Sequence, residues 1–191
     1  MIKYRITQEQ KDWAWAYVNT NKIANRGDST DGTLAWQYAG MIGEAVFADL
    51  FGYPRPKAGG FDNGVDFVVQ GVAIDVKAMG RKWYARDYHV NNIFASQVEG
   101  DRYKNDVYLF ASINKATSEL EFTGWLKKHY VVNKVEGVEY VTKGTPRHRA
   151  DGTMKPARGN SYEVSNKILN EFGTPEAFLM DMGGLGHPSN F

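Results

Sequence analysis

Cysteine is absent from the 191 residues. That absence excludes disulfides, thiolate zinc centres, iron–sulfur clusters and cysteine nucleophiles, and it fits a reducing compartment. Long apolar runs are missing as well: none approaches the roughly 20 residues of a membrane span. The opening MIKYRITQEQKDW has no apolar stretch of the secretory kind. A cytoplasmic chain without membrane contact is the expectation. An excess of one charge sign is also lacking. Lys plus Arg is 23 and Asp plus Glu is 22, so the formal net charge is +1. A nucleic-acid partner would have to be met by a local basic patch. No internal repeat, glycine-rich dinucleotide loop, P-loop, HExxH helix or nucleophile elbow occurs. His89, His129, His148 and His187 are scattered without metal-ligand spacing.

What remains has the length and composition of one globular domain. Thr7 and Gln10 have the spacing of a capping box, which predicts a helix over 7–24. A polar stretch, NRGDSTDGT, then reads as a loop. Residues 34–51 are apolar over a wide arc and stop at Gly52 and Pro54, which predicts a second helix. Strands are expected at 65–69 and 72–78, joined through Gln70-Gly71. A short helix over 95–104 precedes a strand pair at 106–113 and 120–126. Residues 143–160 read as a long basic loop and 161–168 as a last strand. The expected organisation is one domain over 1–180, with its core at 34–126 and a C-terminal tail at 181–191. Hairpins with segregated helices make this an α/β or α+β fold.

The segment GVDFVVQGVAIDVKA carries the chemistry. Alternation along a strand puts Val72, Ile74, Val76 and Ala78 on one face and Ala73, Asp75 and Lys77 on the other. A two-residue loop at Gln70-Gly71 pairs Val69 with Val72, Val68 with Ala73 and Phe67 with Ile74, and so sets Asp66 opposite Asp75. Like charges that close are destabilising unless a cation lies between them. Lys77 supplies part of that charge, and a hard divalent ion such as Mg²⁺ or Mn²⁺ would supply the rest. Glu44 lies inside the apolar second helix, where an unpaired charge is expensive. Packing that helix across the hairpin would bring Glu44 towards the two aspartates, with Gly40 and Gly43 allowing close approach.

These residues resemble the PD-(D/E)xK nuclease superfamily. The motif here is Val65-Asp66, eight intervening residues, then Asp75-Val76-Lys77, preceded by Gly43-Glu44 in a helix. Valine stands where the family name has proline, and Asp75 takes a place often held by glutamate. The resemblance implies a restriction-endonuclease-like core of order αβββαβ, with a central mixed sheet flanked by helices. It implies that Asp66, Asp75, the Val76 carbonyl and Glu44 hold Mg²⁺, with Mn²⁺ as substitute. It gives Lys77 the task of orienting or deprotonating the attacking water, or of stabilising the transition state. Gln97 would have a supporting place near the metal or the DNA.

Basic residues cluster at 81–86, where Arg81, Lys82 and Arg86 surround Trp83 and Tyr84, and at 143–158, which includes Arg147 and Arg149. Both stretches could grip phosphates, with aromatics stacking on an exposed base. The leading expectation is a magnesium-dependent endonuclease acting on DNA, of phage or mobile-element type, with a homodimer as a plausible working form. The competing expectation is a nucleic-acid-binding module in which the acid–lysine cluster is an ordinary salt bridge and Glu44 pairs with an arginine such as Arg26. A hydrolase of small phosphorylated substrates is a weaker third, because no phosphate-cradling loop adjoins the acids.

Overall fold

The N-terminal capping box forms as its spacing demands. The Thr7 N–H donates to Gln10 Oε1 at 2.9 Å, and the Gln10 N–H donates to Thr7 Oγ1 at 3.2 Å. Two of the helix's orphan donors are thereby satisfied. The helix α1 that starts there covers Gln8–Thr20. It buries Gln10, Ala14 and Val18 along one stripe against helix α2, Leu34–Phe51. The computed structural model describes residues 1–20, 33–57, 63–99, 101, 103–148 and 153–186. Most of the NRGDSTDGT stretch lies outside them, as do Arg26 and Arg149.

The strands are β1 Lys3–Arg5, β2 Phe67–Val69, β3 Val72–Arg81, β4 Val90–Phe94, β5 Val107–Asn114, β6 Glu119–Lys127, β7 Val138–Val141, β8 Pro146–His148, β9 Met154–Pro156 and β10 Ser161–Ser165. Short helices α3 (Ala95–Val98) and α4 (Lys128–Val132) follow β4 and β6, and α5 covers Pro175–Gly186. The central sheet has the order β1-β6-β5-β3-β2. It is mixed: β3 runs parallel to β5 and antiparallel to β2, and β5 and β6 form an antiparallel pair. A second sheet, β4-β10-β7, and the hairpin β8-β9 complete the mixed α+β fold.

Alternation splits the central sheet into two chemically different faces. Val72, Ile74, Val76, Val107, Leu109 and Ala111 pack with α1, α2 and α5. Tyr108, Phe110 and Leu126 pack instead with Ile93, Val98, Val131, Tyr162 and Val164, from the second sheet and the short helices. Contact between α2 and β3 is close because residue 43 has no side chain. A Cβ built at Gly43 would lie 2.6 Å from the Ala78 Cβ.

Several sequence expectations need correction. The 95–104 helix is a single turn, Ala95–Val98. The 143–160 stretch holds a hairpin, β8-β9. Its strands are three residues long and carry Pro146 and Pro156 at their ends, so no periodicity could reveal them. The tail expected from 181 starts inside α5, whose Phe178 and Met182 are fully buried one turn apart. Residues 187–191 lie outside the described residues. The element order α2-β2-β3-β4-α3-β5 reproduces the string αβββαβ, but β4 leaves the central sheet to pair with β10.

Candidate functional site

The β2–β3 hairpin turns at Gln70 and Gly71, with φ of 53° and 84°. Two consecutive positive φ values match the right-handed twist of a two-residue hairpin. The turn fixes the pairs Val69 with Val72, Val68 with Ala73 and Phe67 with Ile74. That is the register the sequence implied. The ladder then departs from it, because the Asp66 N–H donates to the Ile74 carbonyl at 2.9 Å. Asp66 Oδ2 accepts the Val76 N–H at 2.7 Å. Asp66 therefore does not sit as a strand residue opposite Asp75. It caps the edge of β3 just past Asp75.

Asp75 is buried, with 3% of its side chain exposed, and its Oδ1 accepts the Lys77 ammonium at 2.7 Å. Both residues project from the face that carries Tyr108 and Phe110, their register partners on β5. Burial is the largest single influence on Lys77 and pulls its pKa down. The carboxylates of Asp75 and Asp66, with the hydrogen bond to Asp75, outweigh it and hold the pKa well above the ordinary lysine value. Lys77 is a cation in this arrangement. Of the roles expected for it, orientation and charge stabilisation fit the ion pair with Asp75 as it stands.

Sequence reading missed two neighbours, Tyr108 and Lys128. Burial and the Asp75 charge push the Tyr108 phenol pKa up, so it stays a donor, and its hydroxyl donates to the Gln97 carbonyl at 3.1 Å. Gln97 thus reaches the site through its backbone. The Lys128 ammonium donates to the Tyr103 carbonyl at 2.5 Å. Burial lowers its pKa and the Asp75 charge pulls the other way, which puts Lys128 within electrostatic range of the pair. Asn105, Asp106, Lys128, His129 and Val132 line an adjoining cavity of about 300 Å³. Only the parallel β3–β5 register brings Tyr108 beside Asp75, and a local motif contains no signal for that pairing.

Glu44 is buried at 7% exposure on α2. That helix packs across β3 as expected, but on the face of Val76 and Ala78. Asp75 and Lys77 leave the strand on the opposite face. Gly43, the residue before Glu44, meets Val76 and Ala78 on the face opposite that pair. Among the described residues, no three histidine, aspartate or glutamate side chains form a group that could hold a metal ion. Asp66 and Asp75 remain the carboxylates that act together on Lys77.

The expected basic grip is also redistributed. Arg81 is turned inward, its Nη2 donating to the Val90 carbonyl at 2.9 Å and to Asn91 Oδ1 at 3.4 Å. Arg147 pairs with Glu163 and with Glu139 of the second sheet. Its charge answers two glutamates that face each other across β7 and β10. Lys82 and Arg86 are exposed as expected. No helix among the described residues is long and apolar enough to cross a membrane.

No family model, no curated protein and no solved structure matches this chain.

Proposed function

We propose that the chain is a metal-dependent nuclease that hydrolyses DNA phosphodiesters, built on a restriction-endonuclease-like variant of the mixed sheet. One observation supports this most directly: a buried aspartate and lysine, 2.7 Å apart on the central strand, share their surroundings with a second carboxylate. Burying two such charges is expensive and gains little stability over an apolar pair. Chemistry is the better reason to keep them. The parallel β3–β5 pair, reached through α3, is consistent with the core.

The donor set suits a hard ion. Mg²⁺ is commonly held by one or two carboxylates, with water and substrate phosphate completing its shell. Asp66, Asp75, the Val76 carbonyl and Glu44 would hold it. When bound, such an ion lowers the pKa of a water and neutralises charge developing on the phosphate. Lys77 holds Asp75 in place and offers positive charge to the phosphoryl oxygens. Tyr108 adds a donor beside it, and Lys128 lies within electrostatic range of the pair. A cytoplasmic location and a homodimer that cuts both strands belong to this reading.

The second reading is a nucleic-acid-binding module without catalysis. It is favoured by the Asp75–Lys77 ion pair itself, which at 2.7 Å balances one charge with the other. Cleavage of supercoiled plasmid with Mg²⁺ or Mn²⁺ separates the two. We expect nicking or linearisation that needs the ion and falls at least about a hundredfold in Asp75→Asn, a change that keeps the side chain's shape. Plasmid, linear and branched DNA all surviving with the parent protein would refute catalysis and leave the binding module.

A further inference from the structure

The loop over residues 82–89, which leaves the site strand β3, combines a rigid base with exposed aromatic rings. Its base is tied down at almost every other position. The Tyr84 hydroxyl donates to Glu119 Oε2 at 2.7 Å. The Ala85 N–H donates to Glu121. The Arg86 N–H donates to His89 Nδ1 at 3.0 Å, and the His89 N–H returns to the Arg86 carbonyl at 2.9 Å. Asn166 clamps the same turn, donating from Nδ2 to the Arg86 carbonyl and from its N–H to the His89 carbonyl. Arg81 fixes the start of the loop through Val90 and Asn91.

Trp83 and Tyr88 are left outside this framework, 64% and 73% exposed. Tyr88 stands edge-on to the pinned His89 ring, with centroids 4.8 Å apart. The Lys82 ammonium lies 5.7 Å from the Trp83 ring centroid. Lys82 and Arg86 are exposed, and the one acid in the loop is Asp87. Exposed single apolar residues are ordinary. Two large rings on a pre-fixed loop, flanked by two exposed cations, match a stacking platform with phosphate grips.

We propose that Trp83 and Tyr88 stack on unpaired bases, so that the substrate is single-stranded DNA or carries a single-stranded segment. This rests on the nuclease reading for the word substrate, but not for the binding. From Asp75 to Arg81 is six residues of strand, roughly 20 Å. The platform would hold the strand about that far from the bond cut at Asp75.

The test is fluorescence anisotropy in EDTA, with labelled oligothymidylate and with a labelled duplex of equal length. Tighter binding of the single strand is expected. Trp83→Ala and Tyr88→Ala should each weaken it on the order of tenfold, and Trp83→Phe should restore most of the loss. Both residues are exposed, so circular dichroism of the variants should match the parent. Equal affinity for the duplex, or alanine variants that bind as the parent does, would overturn the proposal. So would failure to bind any oligonucleotide, which would assign the rings to a protein partner. Stacking without any metal-dependent cleavage would sink the catalytic reading and leave this one standing.

Discussion

The two faces of the central sheet are built on opposite principles. On the helical face, Phe47 is fully buried and meets Phe51, Phe67, Phe122 and Phe178 with ring centroids 4.5 to 6.1 Å apart. These ring contacts need no proton and no partner charge. On the other face, the same strand puts Asp75 and Lys77 beside Tyr108. Alternation along one strand lets ten residues serve both purposes. The difference teaches where to look: stability concentrates where buried atoms are apolar, and chemistry where burial has been spent on charge.

The largest effect belongs to the helical face. Phe47→Ala removes a ring from the centre of the aromatic pile and leaves a cavity. It should cost about 3–5 kcal/mol, or roughly 6–20 °C of melting temperature at this chain length. A loss under about 1 kcal/mol in denaturant unfolding would show that α2 does not rest on that pile.

The opposite face should respond in another way. Lys77→Met strands the Asp75 charge in a buried place and should cost about 3 kcal/mol. Adding Asp75→Leu removes the stranded charge and should return stability to the parent value or above it. The double variant should therefore be stable and inactive in plasmid cleavage. If the double variant is as unstable as the single one, the pair is a structural salt bridge and the contrast between the faces collapses. Urea unfolding of the four proteins in the cycle measures the coupling directly.

How much of this was legible in the sequence follows the same division. Local signals were read correctly. Helix α2 has the expected bounds, because an apolar arc ends in Gly52 and Pro54, and the Gln70-Gly71 turn carried the hairpin register. Two of the residues named for the site, Asp75 and Lys77, are brought together by alternation along one strand. Non-local pairings were not readable. The parallel β3–β5 register that adds Tyr108, the departure of β4 into a second sheet, and the face on which α2 lands depend on contacts between distant segments. Charges misled for a related reason. Arg81 and Arg147 look like phosphate grips in a linear chain, but folding gives them the Val90 carbonyl and two glutamates. Glycine misled at 183, 184 and 186, where the pattern reads as a tail but Phe178 and Met182 anchor a helix.

The smallest effect concerns ionic groups on the helical side, which sit at the rim rather than in the core. Arg55 grips Asp49 with both arms, Nε to Oδ1 at 2.8 Å and Nη2 to Oδ2 at 2.7 Å. Gln10 of α1 adds a third hydrogen bond at 2.8 Å, so the cluster ties α1, α2 and the segment after α2 together. The Arg55 hydrogen bonds, helped by Gln10, hold the Asp49 carboxyl below the ordinary aspartate pKa. A depressed carboxylate stabilises the fold above its unfolded pKa, near 3.9. That contribution is lost as the pH falls through the lower folded value. Asp49 is 36% exposed, so water screens the pair, and its worth is that of a good surface bridge, about 0.5–1 kcal/mol. Arg55→Gln should therefore lower the melting temperature by about 1–4 °C at pH 7. The gap should close progressively below about pH 4, where the parent's Asp49 becomes protonated. It should also narrow in high salt. The Lys77–Asp75 pair, buried on the other face, should be the less sensitive of the two to salt. A gap between parent and Arg55→Gln that is as wide at pH 2.5 as at pH 7 would mean that Arg55 acts through packing, for which its position 5.9 Å from the Trp13 ring centroid offers the mechanism.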